Sequence, residues 1–85
     1  QEVAMLALKH DISEELDRIF FHTKTLNEEL TKKISSGKKI DFILQELFRE
    51  SNTLAVKIDD SKLKNYALDM KLLIEEMREQ TQNVE

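Results

Sequence analysis

Cysteine, proline and tryptophan are absent from this chain, and glycine occurs once. Each absence removes a class of structure. Without cysteine there are no disulfide staples and no thiolate metal sites, and the chain suits a reducing cytosol. Without proline, and with glycine only at position 37, little in the sequence breaks a helix. Long apolar runs are missing too. No segment approaches the roughly 18 apolar residues of a spanning helix, and no signal-peptide pattern opens the chain, so a cytoplasmic location and no membrane contact are expected. An excess of positive charge is also lacking. The net charge of −4 argues against a domain that wraps nucleic acid unaided, because phosphate neutralisation by Lys and Arg supplies most non-specific affinity. No DNA partner is expected, and an RNA role needs basic surface from elsewhere.

What is present is helix-forming. The 85 residues are 40% apolar and 35% charged, a composition close to that of long helices or a coiled coil. At this length one small domain is the ceiling, and it folds only if long elements pack efficiently. The expected fold is all-α: long antiparallel helices forming a helical hairpin or a three-helix, coiled-coil-like bundle, and an oligomeric one. The opening turns, Val3 to Leu8, are apolar nearly all round. They imply a fragment of a larger protein whose N-terminal partner surface is missing.

Three helices are expected, over about residues 3–36, 39–57 and 61–84. Gly37 is placed where a left-handed residue ends the first. Asp60 or Ser61 is placed to cap the third. On the first helix Ile12, Leu16, Ile19, Thr23, Leu26, Leu30 and Ile34 recur at spacings of three and four and predict one buried stripe. Asp11 to Glu14 resembles a capping box, which leaves open whether the preceding turns are separate or continuous. The third helix places Leu63, Ala67, Met70, Leu73, Ile74 and Met77 on its stripe.

The middle helix carries more than a stripe. With Ile40 at the origin of a helical wheel, Ile43, Leu44, Leu47, Leu54, Ala55 and Ile58 lie within about 60°. Asp41, Gln45, Arg49 and Asn52 form one polar sector at about 100° to 180°; Glu46, Glu50, Thr53 and Lys57 form a second at about 220° to 280°. The plainer account is a solvated face with ion pairs one turn apart. The sharper one is that carboxylates, an amide and a guanidinium converge on a substrate or metal. Phe42 and Val56, apolar among these groups, suggest a second contact surface, as does Phe21 on the first helix. Glu14, Arg18 and His22 follow each other at steps of four, with Glu15 beside them, on the side predicted to face away from the core. His22 there is either a surface residue paired with Glu or Arg, or a proton carrier or metal ligand. His10 has no such neighbours. A His-Glu-x-x-His zinc motif, a Walker loop and a nucleophile elbow are all absent.

The run from Gly37 to Leu54, with its Asp-Phe-x-x-Gln-Glu-x-x-Arg-Glu-x-Asn-Thr pattern from Asp41 to Thr53, resembles the signature of the YicC-like bacterial protein family. Leu72 to Glu85 resembles the extreme C-terminus of that family, and Asp11 to Arg18 the start of its C-terminal domain. The resemblance covers essentially the whole chain. It implies the C-terminal domain of a divalent-metal-dependent endoribonuclease that assembles as a ring-like homo-oligomer and carries a larger N-terminal domain before this segment. It implies RNA as the substrate, reached through the full-length protein, and Mg²⁺ or Mn²⁺ as cofactor.

Carried over by position, Asp41, Glu46 and Glu50 are candidate metal holders, because a hard cation takes oxygen ligands. His22, Glu50 and Arg49 are candidate catalytic groups, with Arg49 offsetting charge on the phosphorane. Lys38, Lys39, Arg18, Gln45 and Asn52 are candidate RNA contacts. The two polar sectors face different ways, so one site does not use all of them. Two departures stand out: the family's Arg-Arg after the glycine is Lys38-Lys39, which keeps charge but loses bidentate phosphate geometry, and Phe48 replaces a smaller or polar residue. A non-enzymatic helical module for oligomerisation or partner binding is the competing expectation, and an RNA-binding adaptor is a third.

Overall fold

A computed structural model describes residues 2–84, with the side chains of His10, Asn83 and Val84 outside that description; His10 therefore falls outside the described side chains. Three α-helices follow one another: α1 (Glu2–Leu30), α2 (Gly37–Lys57) and α3 (Ser61–Val84). The all-α expectation is met. The helices form a layer of 50 × 20 × 15 Å with α2 in the middle. Both α1 and α3 pack on α2, and among the described residues they do not pack on one another.

Both neighbours run antiparallel to α2. Glu15 meets Lys57 while Glu29 meets Lys39, and Asp41 meets Arg78 while Asn52 meets Lys71. Because Lys57 ends α2 opposite Glu15, the part of α1 before Ile12 runs past it, with Val3, Met5 and Leu6 exposed. The core lies along the two contact lines: Ile40, Ile43, Leu44, Leu47 and Leu54 of α2 with Ile19 and Leu26 of α1 and Ile74 of α3. Ser51 is fully buried, its hydroxyl donating to the Leu47 carbonyl at 2.7 Å. That bond satisfies the polar group inside the helix that carries it.

Local chemistry sets the helix ends. α1 is one continuous helix through Asp11, so the opening turns are a continuation. It stops at Leu30 rather than near residue 36, because Ser36 is committed to the next helix: its side chain accepts from the Lys39 N–H at 3.3 Å, from an extended backbone. Gly37 is the first residue of α2 and has no positive φ, so its expected left-handed role is overturned by the serine cap beside it. Asp60 caps α3 as expected, accepting from the N–H groups of Lys62 and Leu63 at 2.9 and 3.1 Å.

The buried stripe of α1 also differs from expectation. Ile12, Ile19 and Leu26 do face α2, but Leu16, Leu30 and Ile34 are exposed, Ile34 by 88%. In their place the inward face carries Glu15 and Glu29, both buried, and half-buried His22. Glu15 and His22, expected to point away from the core, instead sit at the α1–α2 seam, because α2 supplies the charges that let them be buried there.

Candidate functional site

Seven-residue steps bring each of Glu15, His22 and Glu29 back to nearly the same side of α1, some 20° further round each time. The polar sector of α2 that contains Glu46, Glu50 and Lys57 faces them. At the centre, one ligand atom each from His22, Glu46 and Glu50 lies within 4.8 Å of the others. His22 and Glu46 are half-buried and Glu50 is buried, so the cluster is partly withdrawn from solvent. Phe21 sets its ring edge-on to the His22 ring, centroids 5.6 Å apart.

Glu50 is the group most altered by its surroundings. Burial, and then the neighbouring Glu15 carboxyl, push it up to about 7, since a second negative charge in a partly dry seam is costly. Glu15 shifts the other way. The proton on Glu50 is hydrogen-bonded to it, and Lys57 and Arg18 stand beside it, so it is held below the usual carboxylate range. Arg18 lies 3.2 Å from Glu15 and 3.9 Å from Glu50 Oε2, and Lys57 lies 3.5 Å from Glu15. The second oxygen of Glu15, Oε2, is buried and receives no hydrogen bond from any cation or amide.

The other predicted site residues separate cleanly. Asp41 is not with Glu46 and Glu50 but on the α2–α3 seam, where it accepts from Gln45 Nε2 at 2.8 Å and Arg78 Nε at 3.2 Å. Those two bonds, Gln45 first, hold its carboxyl below the usual range. Asn52 is on the same seam, its Oδ1 accepting from Lys71 at 2.8 Å, while Lys71 lies over the Phe48 ring at 5.4 Å. Asp41 is therefore not brought together with the other two expected metal holders but is half of a helix-to-helix ion pair, and Gln45 and Asn52 belong to that second seam. Arg49 is exposed and reaches only Glu46, at 3.9 Å. Lys39 reaches the seam at Glu29, whereas Lys38 is exposed. Two open apolar clefts, one at Leu30, Ile40 and Met77 and one at Phe48, Leu68 and Leu72, are lined by none of the predicted site residues.

Sequence reasoning assigned no role to Glu29, nor to Glu15 and His22 as parts of one row with it, and read Lys57 only as a member of the second polar sector of the middle helix. The signal that reveals the row is the repeat of an ionisable residue every seventh position, Glu15, His22 and Glu29, interleaved with Ile12, Ile19 and Leu26.

Fold and site together define a helical domain with a histidine and carboxylate cluster on the seam between its first two helices. The chain belongs to the family described as endoribonuclease YicC-like, C-terminal, which matches residues 1–85. It is similar to the probable endoribonuclease YicC of Haemophilus influenzae, 48% identical over 85 residues, which is 100% of this chain and 30% of that protein. It is 42% identical to the probable endoribonuclease YicC of Clostridioides difficile, again over 100% of this chain and 29% of that protein. The chain thus spans less than a third of the length of these curated relatives and is one domain of a nuclease family.

Proposed function

We propose that this chain is the part of a divalent-metal-dependent endoribonuclease that holds the metal, with His22, Glu46 and Glu50 as its ligands. The convergence of three donors within 4.8 Å on one partly buried seam carries the reading. One imidazole and two carboxylates suit Mn²⁺, which accepts both donor types, better than Mg²⁺, which favours oxygen and water. A cation bound there supplies positive charge to a phosphodiester oxygen and acidifies bound water.

The chain's own residues do the rest. Arg18, half-exposed and 3.9 Å from Glu50, is placed to neutralise a phosphate at the cluster, a role that moves to it from the outlying Arg49. Lys57 and Arg18 together hold Glu15, and Glu15 orients Glu50 from behind. RNA binding beyond the reacting phosphate falls to Lys38, Lys39 and surfaces outside this acidic chain.

The test is cleavage of a structured RNA by the full-length protein with and without chelator, repeated with His22→Ala, Glu50→Ala and, as a control on the other seam, Gln45→Ala. The first two substitutions are expected to lower the rate at least about a hundredfold, the scale of a lost acid–base or electrostatic group, and the third to leave it near wild type. Metal-dependent cleavage that survives His22→Ala and Glu50→Ala in a folded protein refutes the assignment.

A second reading rests on a different observation: Phe20, Phe21, Phe42 and Val56 are all more than 60% exposed, or at 60%, as are Val3, Met5 and Leu6. Scattered singly such residues mean little, but this density fits contact with further copies or with another domain of the same protein. Light scattering on the chain tests it, and a strict monomer speaks against the homo-oligomer.

A further inference from the structure

From the arrangement of the α1–α2 seam we infer that Glu29 is a positioning residue: with Lys39 and Lys32 it fixes the register that puts His22 opposite Glu46 and Glu50. The inference rests on the metal reading above but concerns a residue that never touches the cluster. Glu29 lies seven residues, about two turns and 10 Å, beyond His22. Lys39 lies the same seven residues before Glu46. At the other end the pattern is mirrored, Glu15 seven before His22 and Lys57 seven after Glu50. The seam is thus three rungs, Glu29 with Lys39, His22 with Glu46 and Glu50, and Glu15 with Lys57.

The apolar half of the seam does not choose between registers. Ile12, Ile19 and Leu26 on α1 face Ile43, Leu47 and Leu54 on α2, all branched aliphatics of similar size, so a slip by one turn still buries apolar groups against apolar groups. Charge does choose. Glu29 is only 3% exposed, with Lys32 Nζ 3.1 Å and Lys39 Nζ 3.9 Å from its carboxylate oxygens. Lys32 travels with Glu29 on the same stretch of chain, whereas Lys39 belongs to α2. A one-turn slip leaves the buried carboxylate facing Ile43 instead of Lys39, a desolvated charge with half its partners gone. Lys32 pairs with Oε2 and Lys39 with Oε1, so the cross-helix partner serves an oxygen that Lys32 does not. A buried polar group that fixes register at some cost in stability is a known use of such residues in helix pairs.

The experiment uses the 85-residue chain, which has no cysteine, so that Lys24→Cys and Val56→Cys give two exposed spin-label sites across the seam. Glu29→Leu and Glu29→Gln are compared with wild type by thermal melting, by the distance between labels, and by Mn²⁺ affinity. The expected result for Glu29→Leu is an unchanged or higher Tm, a label distance that shifts or splits by up to about one helical turn, roughly 5 Å, and Mn²⁺ binding weakened about tenfold. Glu29→Gln is expected to show the same changes in distance and affinity. A lower Tm with distance and affinity unchanged makes Glu29 merely structural and overturns the inference, as does a change in either distance or affinity without the other. If the wild-type chain binds no Mn²⁺, the metal reading fails by itself, and the label distance alone decides the role of Glu29.

Discussion

Three carboxylates on the α1–α2 seam have three different sets of neighbours. Glu29 lies between two lysines, Glu15 is held below the usual carboxylate range by the Glu50 proton, Lys57 and Arg18, and burial with Glu15 opposite pushes Glu50 up to about 7. The proton has a consequence for stability. A carboxyl near 4.5 in the unfolded chain and about 7 in the folded one binds more proton when folded, so its contribution is fully present below about pH 4.5 and is lost as pH rises through 7. Glu15, held low, contributes in the opposite sense, but its loss comes on acidification below its ordinary range. Between pH 5 and 8, in chelator, melting of the chain is therefore expected to weaken with rising pH by something on the order of 2 kcal/mol. Glu50→Gln, which carries a permanent donor toward Glu15, is expected to flatten that slope. A wild-type slope that persists in Glu50→Gln removes Glu50 as its source.

At the scale of single elements, the starts of α2 and α3 are each fixed by one side chain. Ser36 opens α2 and Asp60 opens α3, each accepting backbone N–H groups that the first turn leaves free. Ser36→Ala and Asp60→Ala are each expected to cost about 1 kcal/mol, a fall in Tm of roughly 4–8 °C for a chain of this size, and to add in the double variant because the caps are far apart. Differential scanning calorimetry checks both numbers. The start of the third helix was legible to within one residue, because Asp59-Asp60-Ser61 left only Asp60 and Ser61 as caps and both open the helix at the same place. The Ser36 cap was not, because the glycine that follows it also reads as a helix terminator, and only the backbone shows which residue governs. The face of α1 was misjudged for a related reason. Leu16, Leu30 and Ile34 extend the apolar stripe on a wheel, and hydropathy alone ranks them above Glu15 and Glu29. What reverses the ranking is pairing with Lys57 and Lys39, forty-two and ten residues away in the chain, which no local pattern contains. The two-sector split of α2 was legible, since it needs only the helical period; which helix meets which sector was not.

Viewed as a whole molecule, the layer separates its two halves. Among the described residues α1 and α3 meet only through α2, whose α1-facing side carries the carboxylates of the cluster and whose α3-facing side carries Asp41 and Asn52. A defect on the α3 side should therefore lower the stability of the chain without disturbing the cluster. Ile74 is 4% exposed in the core between α2 and α3, and Ile74→Ala is expected to cost about 2 to 5 kcal/mol through lost burial and the cavity left behind. A ligand that binds only the folded chain stabilises it by an amount set by its concentration relative to Kd. If the two seams are independent, a fixed excess of Mn²⁺ stabilises Ile74→Ala and wild type by the same free energy, within the few tenths of a kcal/mol that additivity allows. Denaturant melts with and without Mn²⁺ measure both increments. A markedly smaller increment in Ile74→Ala means that α3 supports the metal cluster through α2, and that the three helices act as one site rather than as two seams sharing a helix.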